Sequence, residues 1–272
     1  VIFNGQPYMA QDPNNDERLV QVLFRASDVT SVRAWGGNGN DEILIDSSLS
    51  DEISLNLRGD ANDDQIIVTN GSTANIQVGS GNDLLVGGSG NDTITSGAGN
   101  HNIDSGDGDD DITVGDGRNQ IKTGEGHDIV STGDGADRID TGNGNDNINA
   151  GDGTNQIKSG SGNDTITTGH GNDRIDAGEG DDLINAGDGR NDIRSGNGDD
   201  TITAGSGDDK IYVGEGDTTI NAGDGNNQIR SGTGNNTITT GSGNDRIDTK
   251  DGNDHISAGD GRNQIKSGNG DD

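Results

Sequence analysis

Cysteine is absent from this sequence of 272 residues, so no disulfide can staple the fold, and aromatic residues make up only 2%. Hydrophobic residues of all kinds amount to 24%, too few to fill a conventional globular core. Positive charge is scarce too: 17 Lys and Arg stand against 49 Asp and Glu, a formal net charge of −32. Low hydrophobicity with high net charge is normally the signature of disorder. A strict repeat that gathers the acids into cation sites is what could overturn that reading. Nucleic acid and anionic membranes are poor partners at this charge. No apolar run approaches the length of a membrane span, so membrane insertion is not expected. The sequence opens on Val1 rather than Met, and its first residues do not read as a signal peptide. A mature product or a piece of something larger is the expectation. With disulfides excluded, metal is the expected staple.

Glycine, in contrast, is abundant, with 50 residues. From Gly79 to Asp272 the chain divides without an insertion into nonapeptides of the form G-x-G-[ND]-D-x-I-x-[STA]. GSGNDTITT from Gly160, GHGNDRIDA from Gly169 and GEGDDLINA from Gly178 are examples. A short fixed period of this kind marks a solenoid. The paired glycines allow positive φ and a tight corner, and Asn or Asp tolerates such backbones best among the rest. The second half of each repeat alternates, with Ile inward and its two neighbours outward, and reads as a short strand. One inward isoleucine per half-turn, as at Ile148, Ile157, Ile166 and Ile175, gives a thin core. Such short strands hold only by stacking on identical neighbours.

A longer period lies on top of the nonapeptide. GDGRNQIKT at Gly115, GDGTNQIKS at Gly151, GDGRNDIRS at Gly187, GDGNNQIRS at Gly223 and GDGRNQIKS at Gly259 recur every 36 residues. With two nonapeptides per turn, residues 18 apart become stacked neighbours, and one outward row reads Lys122, Asp140, Lys158, Asp176, Arg194, Tyr212, Arg230, Asp248, Lys266. Four nonapeptides per turn would stack Lys122 on Lys158, like on like, which destabilises a sheet. The expected fold is therefore all-β, a parallel β-roll or β-solenoid with 18 residues per turn. The other broad face carries Asn149, Thr167, Asn185, Thr203, Asn221 and Thr239 in its outer row and no formal charge. One face is a charge zipper; the other is neutral and rich in Thr and Asn.

Before Gly79 the period loosens. GGNGNDEIL at 36–44 is one complete repeat and GDANDDQII from Gly59 a degenerate second, while VRAW, ISLNL and ANIQV mark longer, irregular coils. The expected organisation is a capping or linking segment at 1–34, irregular β-solenoid coils at 35–78 and the regular array at 79–272. The array stops in mid-repeat, as expected of one that continues.

These nonapeptides resemble the RTX (repeats-in-toxin) family, whose unit is G-G-x-G-x-D-x-U-x with U a large apolar residue. The resemblance covers residues 36–272, with gaps before 79; GGNGNDEIL and the GGSGNDTIT of 87–95 are full matches. Elsewhere Ser, Thr or Ala usually stands for the first glycine. The resemblance implies a right-handed parallel β-roll, Ca²⁺ in the turns, type I secretion and folding outside the cell. The metal aspartate it implies falls on Asp41, Asp83, Asp92, Asp110, Asp128, Asp137, Asp146, Asp164, Asp173, Asp182, Asp200, Asp209, Asp245, Asp254 and Asp272. His101, Asn119, Asn155, Asn191, Thr218, Asn227, Asn236 and Asn263 replace it in the remaining slots. Calcium suits such a set, being a hard ion that takes six to eight oxygens, turn carbonyls among them. The His and Cys ligands of softer metals are missing. One column of slots alternates Asn with Asp and the opposite column is mostly Asp, so the second is expected to fill at lower calcium.

The plainer reading of these aspartates is that they only satisfy turn amides, and that of the Thr/Asn face is a solvated β surface. The four histidines occupy different repeat positions and form no cluster, and no catalytic constellation stands out, so an enzyme is not expected. The leading expectation is a calcium-binding structural segment of a large secreted bacterial protein, such as an adhesin, matrix, S-layer or filament component. Its partners would be calcium ions, other copies of itself, or a cell-surface or matrix component. The alternatives are the accessory domain of a secreted toxin, protease or lipase, and an ice-binding solenoid using the Thr/Asn face.

Overall fold

The computed structural model describes residues 2–3, 6–7, 30–45, 53–69 and 71–272. Every regular element among them is a β-strand. Most of the segment expected to act as a cap, 1–34, lies outside the described residues. The chain forms two compact units, 1–132 and 133–272.

In the first unit the chain passes alternately between two parallel sheets. One is built from Ser31–Asn38, Ser54–Ala61, Ala74–Val78, Thr93–Thr95, Asp111–Val114 and Ile129–Thr132, paired in that order. The other is built from Glu42–Ile45, Gln65–Val68, Leu84–Val86, Asn102–Asp104 and Gln120–Glu125. Ile2–Phe3 adds an antiparallel strand beside Ser31–Asn38, and Gln6–Pro7 pairs with it in turn. The turns shorten along the chain. Equivalent residues lie 23 apart at Asp41 and Asp64, 19 apart at Asp64 and Asp83, and 18 apart from Ala74 and Asp92 onward.

The second unit keeps its 18-residue step throughout, with one register shift between Arg194 and Gly196. Ile148, Ile166, Ile184, Ile202, Ile220, Ile238 and Ile256 stand in register across one parallel sheet. Ile139, Ile157, Ile175, Ile193, Ile211, Ile229, Ile247 and Ile265 do so across the other. Each step is 18 residues, so two nonapeptides make one turn of a parallel β-solenoid. The isoleucines between the end turns are at most 1% exposed, and each contributes about 2 kcal/mol of burial.

The core is thicker than one isoleucine per half-turn. The slot residue and the Ser, Thr or Ala that ends each strand also point inward: Asp164, Ile166 and Thr168 are all buried, as are Asp182, Ile184 and Ala186. Small side chains are needed there because the sheets meet at the corners. Their hydroxyls bond to the next turn, as Ser159 Oγ donates to Ala177 O at 2.9 Å and Thr168 Oγ1 to Ala186 O at 2.8 Å.

The corner glycines allow the turns to stack. Gly189 has φ +135°, and a Cβ there would collide with the Gly171 carbonyl of the preceding turn. Its N–H donates to Ser206 O at 2.7 Å, and Gly171 N–H to Asp188 O at 2.9 Å. The outward rows take the expected places. Asp140, Lys158, Asp176, Arg194, Tyr212, Arg230, Asp248 and Lys266 form one row of the charged sheet. Beside it run Arg138, Gln156, Arg174, Asp192, Lys210, Gln228, Arg246 and Gln264. The opposite sheet presents Asn147 and Asn149, Thr165 and Thr167, and their stacked equivalents.

Candidate functional site

Each corner delivers one slot residue to the interior just before a strand. Its side chain reaches the next-lower turn, where Oδ1 accepts the backbone N–H of that turn's own slot residue. Asp146 N–H donates to Asp164 Oδ1 at 2.8 Å, Asp164 to Asp182 at 2.9 Å and Asp182 to Asp200 at 3.0 Å. Asp92 and Asp110 make the same link to Asp110 and Asp128. The result is a ladder of buried carboxylates, one rung per turn. The plainer expectation, aspartates satisfying turn amides, describes this first oxygen.

The second oxygen has no such service. Oδ2 of Asp64, Asp92, Asp182, Asp209 and Asp254 is buried and accepts no hydrogen bond. A buried acceptor left unmade costs roughly 1–3 kcal/mol, and more when charged. Burial pushes Asp92 and Asp182 up to about 7, against the lowering effect of the amide each accepts. The Asp110 carboxylate adds to the first shift, and the Asp164 and Asp200 carboxylates add to the second. Burial likewise pushes Asp64 and Asp110 up to about 6.

Asparagine slots keep the ladder and remove the problem. Asn155, Asn191 and Asn227 accept the amides of Asp137, Asp173 and Asp209 through Oδ1 at 3.0, 3.0 and 3.1 Å. Their Nδ2 groups donate to corner carbonyls: Asn155 to Gly151 O at 3.4 Å, Asn227 to Gly223 O at 3.2 Å, and Asn191 to Gly187 O at 3.4 Å and Ala204 O at 3.3 Å. An aspartate in that place turns an oxygen toward those carbonyl oxygens. Only a proton or a cation can then mediate between them.

A hydroxyl offers a second remedy. Ser195 Oγ donates to Asp200 Oδ2 at 2.5 Å and Thr240 Oγ1 to Asp245 Oδ2 at 2.7 Å, and Thr123 bonds Asp128 in the same way. The residue five places before Asp92, Asp182 and Asp209 is Gly87, Ala177 or Ala204, which has no hydroxyl to give.

The two slot columns of the second unit also differ in what repels them. Asp182 feels the slot carboxylates of both neighbouring turns, Asp164 and Asp200. Asp209, pushed up to about 6 chiefly by burial, feels Asp208 and Asp188 of the exposed corners instead. The flanking Asn191 and Asn227 explain that difference.

All fifteen sequence-predicted aspartates occupy equivalent corners, and those from Asp83 to Asp254 are 1–4% exposed. Asp272 ends the ladder with its Oδ1 on Asp254 N–H at 3.1 Å. Asp64 belongs with them and was missed: it accepts Asp41 N–H at 3.0 Å, donates to Asp83 Oδ1 at 2.7 Å, and is buried. Its signal was the N-D-D-x-I tail of the degenerate repeat GDANDDQII. His101 fills one slot with a ring whose Nδ1 lies 3.0 Å from Asp83 Oδ2 and whose Nε2 lies 3.1 Å from Gly97 O. Among the described residues no group of three or more His, Asp or Glu side chains converges on a metal position. An ion here would draw on backbone carbonyls as well as carboxylates. Calcium takes such mixed oxygen sets, so the orphaned carboxylate oxygens and the corner carbonyls fit it.

Comparison with known protein families gives one result. The model of the RTX calcium-binding nonapeptide repeat (4 copies) matches residues 77–112, 104–139, 113–148, 123–157, 149–184, 185–220, 221–256 and 248–272. Those matches run through the whole regular array. No curated protein and no solved structure matches the chain.

Proposed function

The chain belongs to the RTX calcium-binding nonapeptide repeat family, and from that premise we propose that it is a calcium-set structural solenoid of a large secreted protein. The observation that carries the reading is the buried Oδ2 left without a donor in slots such as Asp92, Asp182 and Asp209. Bound calcium supplies the missing positive charge and joins one turn to the next. The slot aspartates from Asp83 to Asp272, with Asp41 and Asp64, are its proposed carboxylate ligands.

Without the ion, a chain of net charge −32 and 24% hydrophobic residues has little to oppose its conformational entropy. Folding is therefore coupled to calcium, as for other metal-stapled domains. RTX repeats are typical of secreted proteins, and extracellular calcium is plentiful enough to keep such corners filled. We assign residues 79–272 as the calcium array and 35–78 as the irregular coils that lead into it. The long uninterrupted array favours a spacer or building block, as in an adhesin, matrix, S-layer or filament protein.

Far-UV circular dichroism of the chain, with calcium and then with a chelator, tests the reading. A β spectrum in calcium and a disordered one after chelation are expected. A β spectrum that survives complete calcium removal overturns it.

A further inference from the structure

We propose that the charged sheet of residues 133–272 docks on the acidic corner edge of a second copy of this chain. Arg194 and Arg230 of one copy meet Asp188 and Asp224 of the other.

The first observation is where the positive charge lies. In a chain with 17 basic residues against 49 acidic ones, this sheet face reverses the balance. Its two outward rows hold eight Lys or Arg and four Asp. A basic strip on an acidic body is complementary to most of the molecule's own surface. With twice as many basic residues as acids it repels itself, which disfavours a symmetric face-to-face pairing of this sheet.

The second observation is a break in the pattern. The 36-residue recurrence places an acid at 140, 176 and 248, but Tyr212 stands where the series requires another. Arg194 and Arg230 stack on the Tyr212 ring from the turns on either side, each with its guanidinium carbon 5.8 Å from the centroid. The ring holds both side chains in place without neutralising them. Lys158 and Lys266 reach Asp140 and Asp248 of adjacent turns, and Arg194 reaches Asp192 at 3.5 Å. Arg230 and Lys210 have no ion-pair partner among the described residues. The turns of Lys210 and Arg230 are the one adjacent pair in this sheet of residues 138–266 with no acid in either outward row.

The third observation is a matching row of acids. Asp152, Asp188, Asp224 and Asp260 recur every 36 residues at the corners that enter the charged sheet. Asp188 Oδ1 accepts Ser206 N–H at 2.9 Å and Oγ–H at 2.8 Å, and Asp224 Oδ1 accepts the same groups of Ser242 at 2.7 and 2.9 Å. These bonds hold both carboxyls below the usual carboxylate range. Both side chains stay exposed, Asp188 at 52% with its Oδ2 3.8 Å from His170 Nε2. Both rows advance two turns per step, about 9.6 Å. A row of arginines and a row of aspartates built on the same repeat therefore coincide at every step. Because both are already ordered, little freedom is lost on contact. A small anion finds no enclosing walls on a flat sheet, whereas a rigid row of carboxylates meets it along its length. Face against edge is a heterologous contact, so it can propagate from copy to copy.

Sedimentation velocity of the full chain in calcium, at about 0.15 M and about 1 M NaCl, tests the proposal. Circular dichroism of each sample establishes that it is folded. Self-association that weakens with salt is expected. Tyr212→Asp restores the series seen at 140, 176 and 248, so it keeps the fold, and it is expected to weaken association about tenfold. Arg194→Glu with Arg230→Glu, and separately Asp188→Lys with Asp224→Lys, are each expected to be monomeric, while their mixture associates again. A monomeric wild type overturns the proposal, as does a Tyr212→Asp chain that associates unchanged or a mixture that stays monomeric. A monomeric wild type that instead binds an anionic polysaccharide, and loses it on Tyr212→Asp, assigns the strip to a different partner and overturns the second copy.

Discussion

The two columns of slots in residues 133–272 present the same backbone with different side-chain chemistry. Slots leading into the neutral sheet hold Asp146, Asp164, Asp182 and Asp200 in succession, and each of the last three accepts the next-lower slot amide through its Oδ1. Slots leading into the charged sheet alternate Asp with Asn, and Asn155, Asn191 and Asn227 donate to the corner carbonyls. An amide nitrogen thus does what a cation would do, within the chain and permanently. The comparison separates two demands that an aspartate meets together: one oxygen maintains the ladder, and the other creates the need for an ion. On the proposed reading the continuous column depends on calcium more than the alternating one.

The largest effect expected is collective and appears with pH. Carboxylates such as Asp182, raised to about 7, and Asp209, raised to about 6, take up protons in the fold before the unfolded chain does, whose carboxyls titrate near 3.8. The folded state then binds more protons between those limits, so metal-free stability rises as pH falls from 8 toward 5. It is lost again as pH rises through the folded values. Ligation needs ionised carboxylates, so in calcium the trend runs the other way. The calcium-free chain, disordered in dilute buffer, is driven to fold by an excluded osmolyte such as sucrose, and the sucrose midpoint reads the metal-free stability of the wild type and of each variant. A midpoint that rises on acidification breaks the comparison at its base.

Asn191→Asp comes next. It puts an oxygen where Nδ2 now meets Gly187 O and Ala204 O, in a residue 1% exposed. A metal-free loss of roughly 2–4 kcal/mol is expected, largely recovered in calcium. An equal loss in both conditions means the alternating column cannot use an ion. Asp182→Asn is the converse and smaller change. It keeps the ladder, removes a carboxylate repelled by Asp164 and Asp200, and is expected to gain about 1–2 kcal/mol without metal. Calorimetric titration should show fewer calcium ions bound. An unchanged count separates Asp182 from the proposed ligands.

Much of this was legible in the sequence because the repeat is strict. Period, turn size, inward isoleucines and the two faces follow from spacing alone, since a stacked strand must repeat its neighbour's pattern. Asp64 was missed despite its N-D-D-x-I tail because turns of 23 and 19 residues shift it out of phase with the nonapeptide. The inward Ser, Thr and Ala were also missed as core. At the end of a three-residue strand their direction depends on how the corner closes, and a hydroxyl in that place reads as surface.

That overlooked position carries the finest test of the comparison. Ser195 donates to Asp200 Oδ2, while one turn earlier Ala177 offers Asp182 nothing. Ser195→Ala leaves the Asp200 oxygen without its donor and should cost about 1 kcal/mol in the metal-free chain. The cost should shrink in calcium, where an ion can take over the same oxygen. Ala177→Ser supplies the missing hydroxyl at a position whose stacked neighbours, Ser159 and Ser195, already accommodate serine within the core. It should stabilise the metal-free chain by a similar amount and weaken the response of slot 182 to calcium. Hydrogen exchange at the Asp164 amide, which Asp182 Oδ1 accepts, reads that slot directly. If the added hydroxyl slows exchange equally with and without calcium, hydroxyl and ion act on different oxygens. The column's dependence on calcium would then have to come from the corner carbonyls instead.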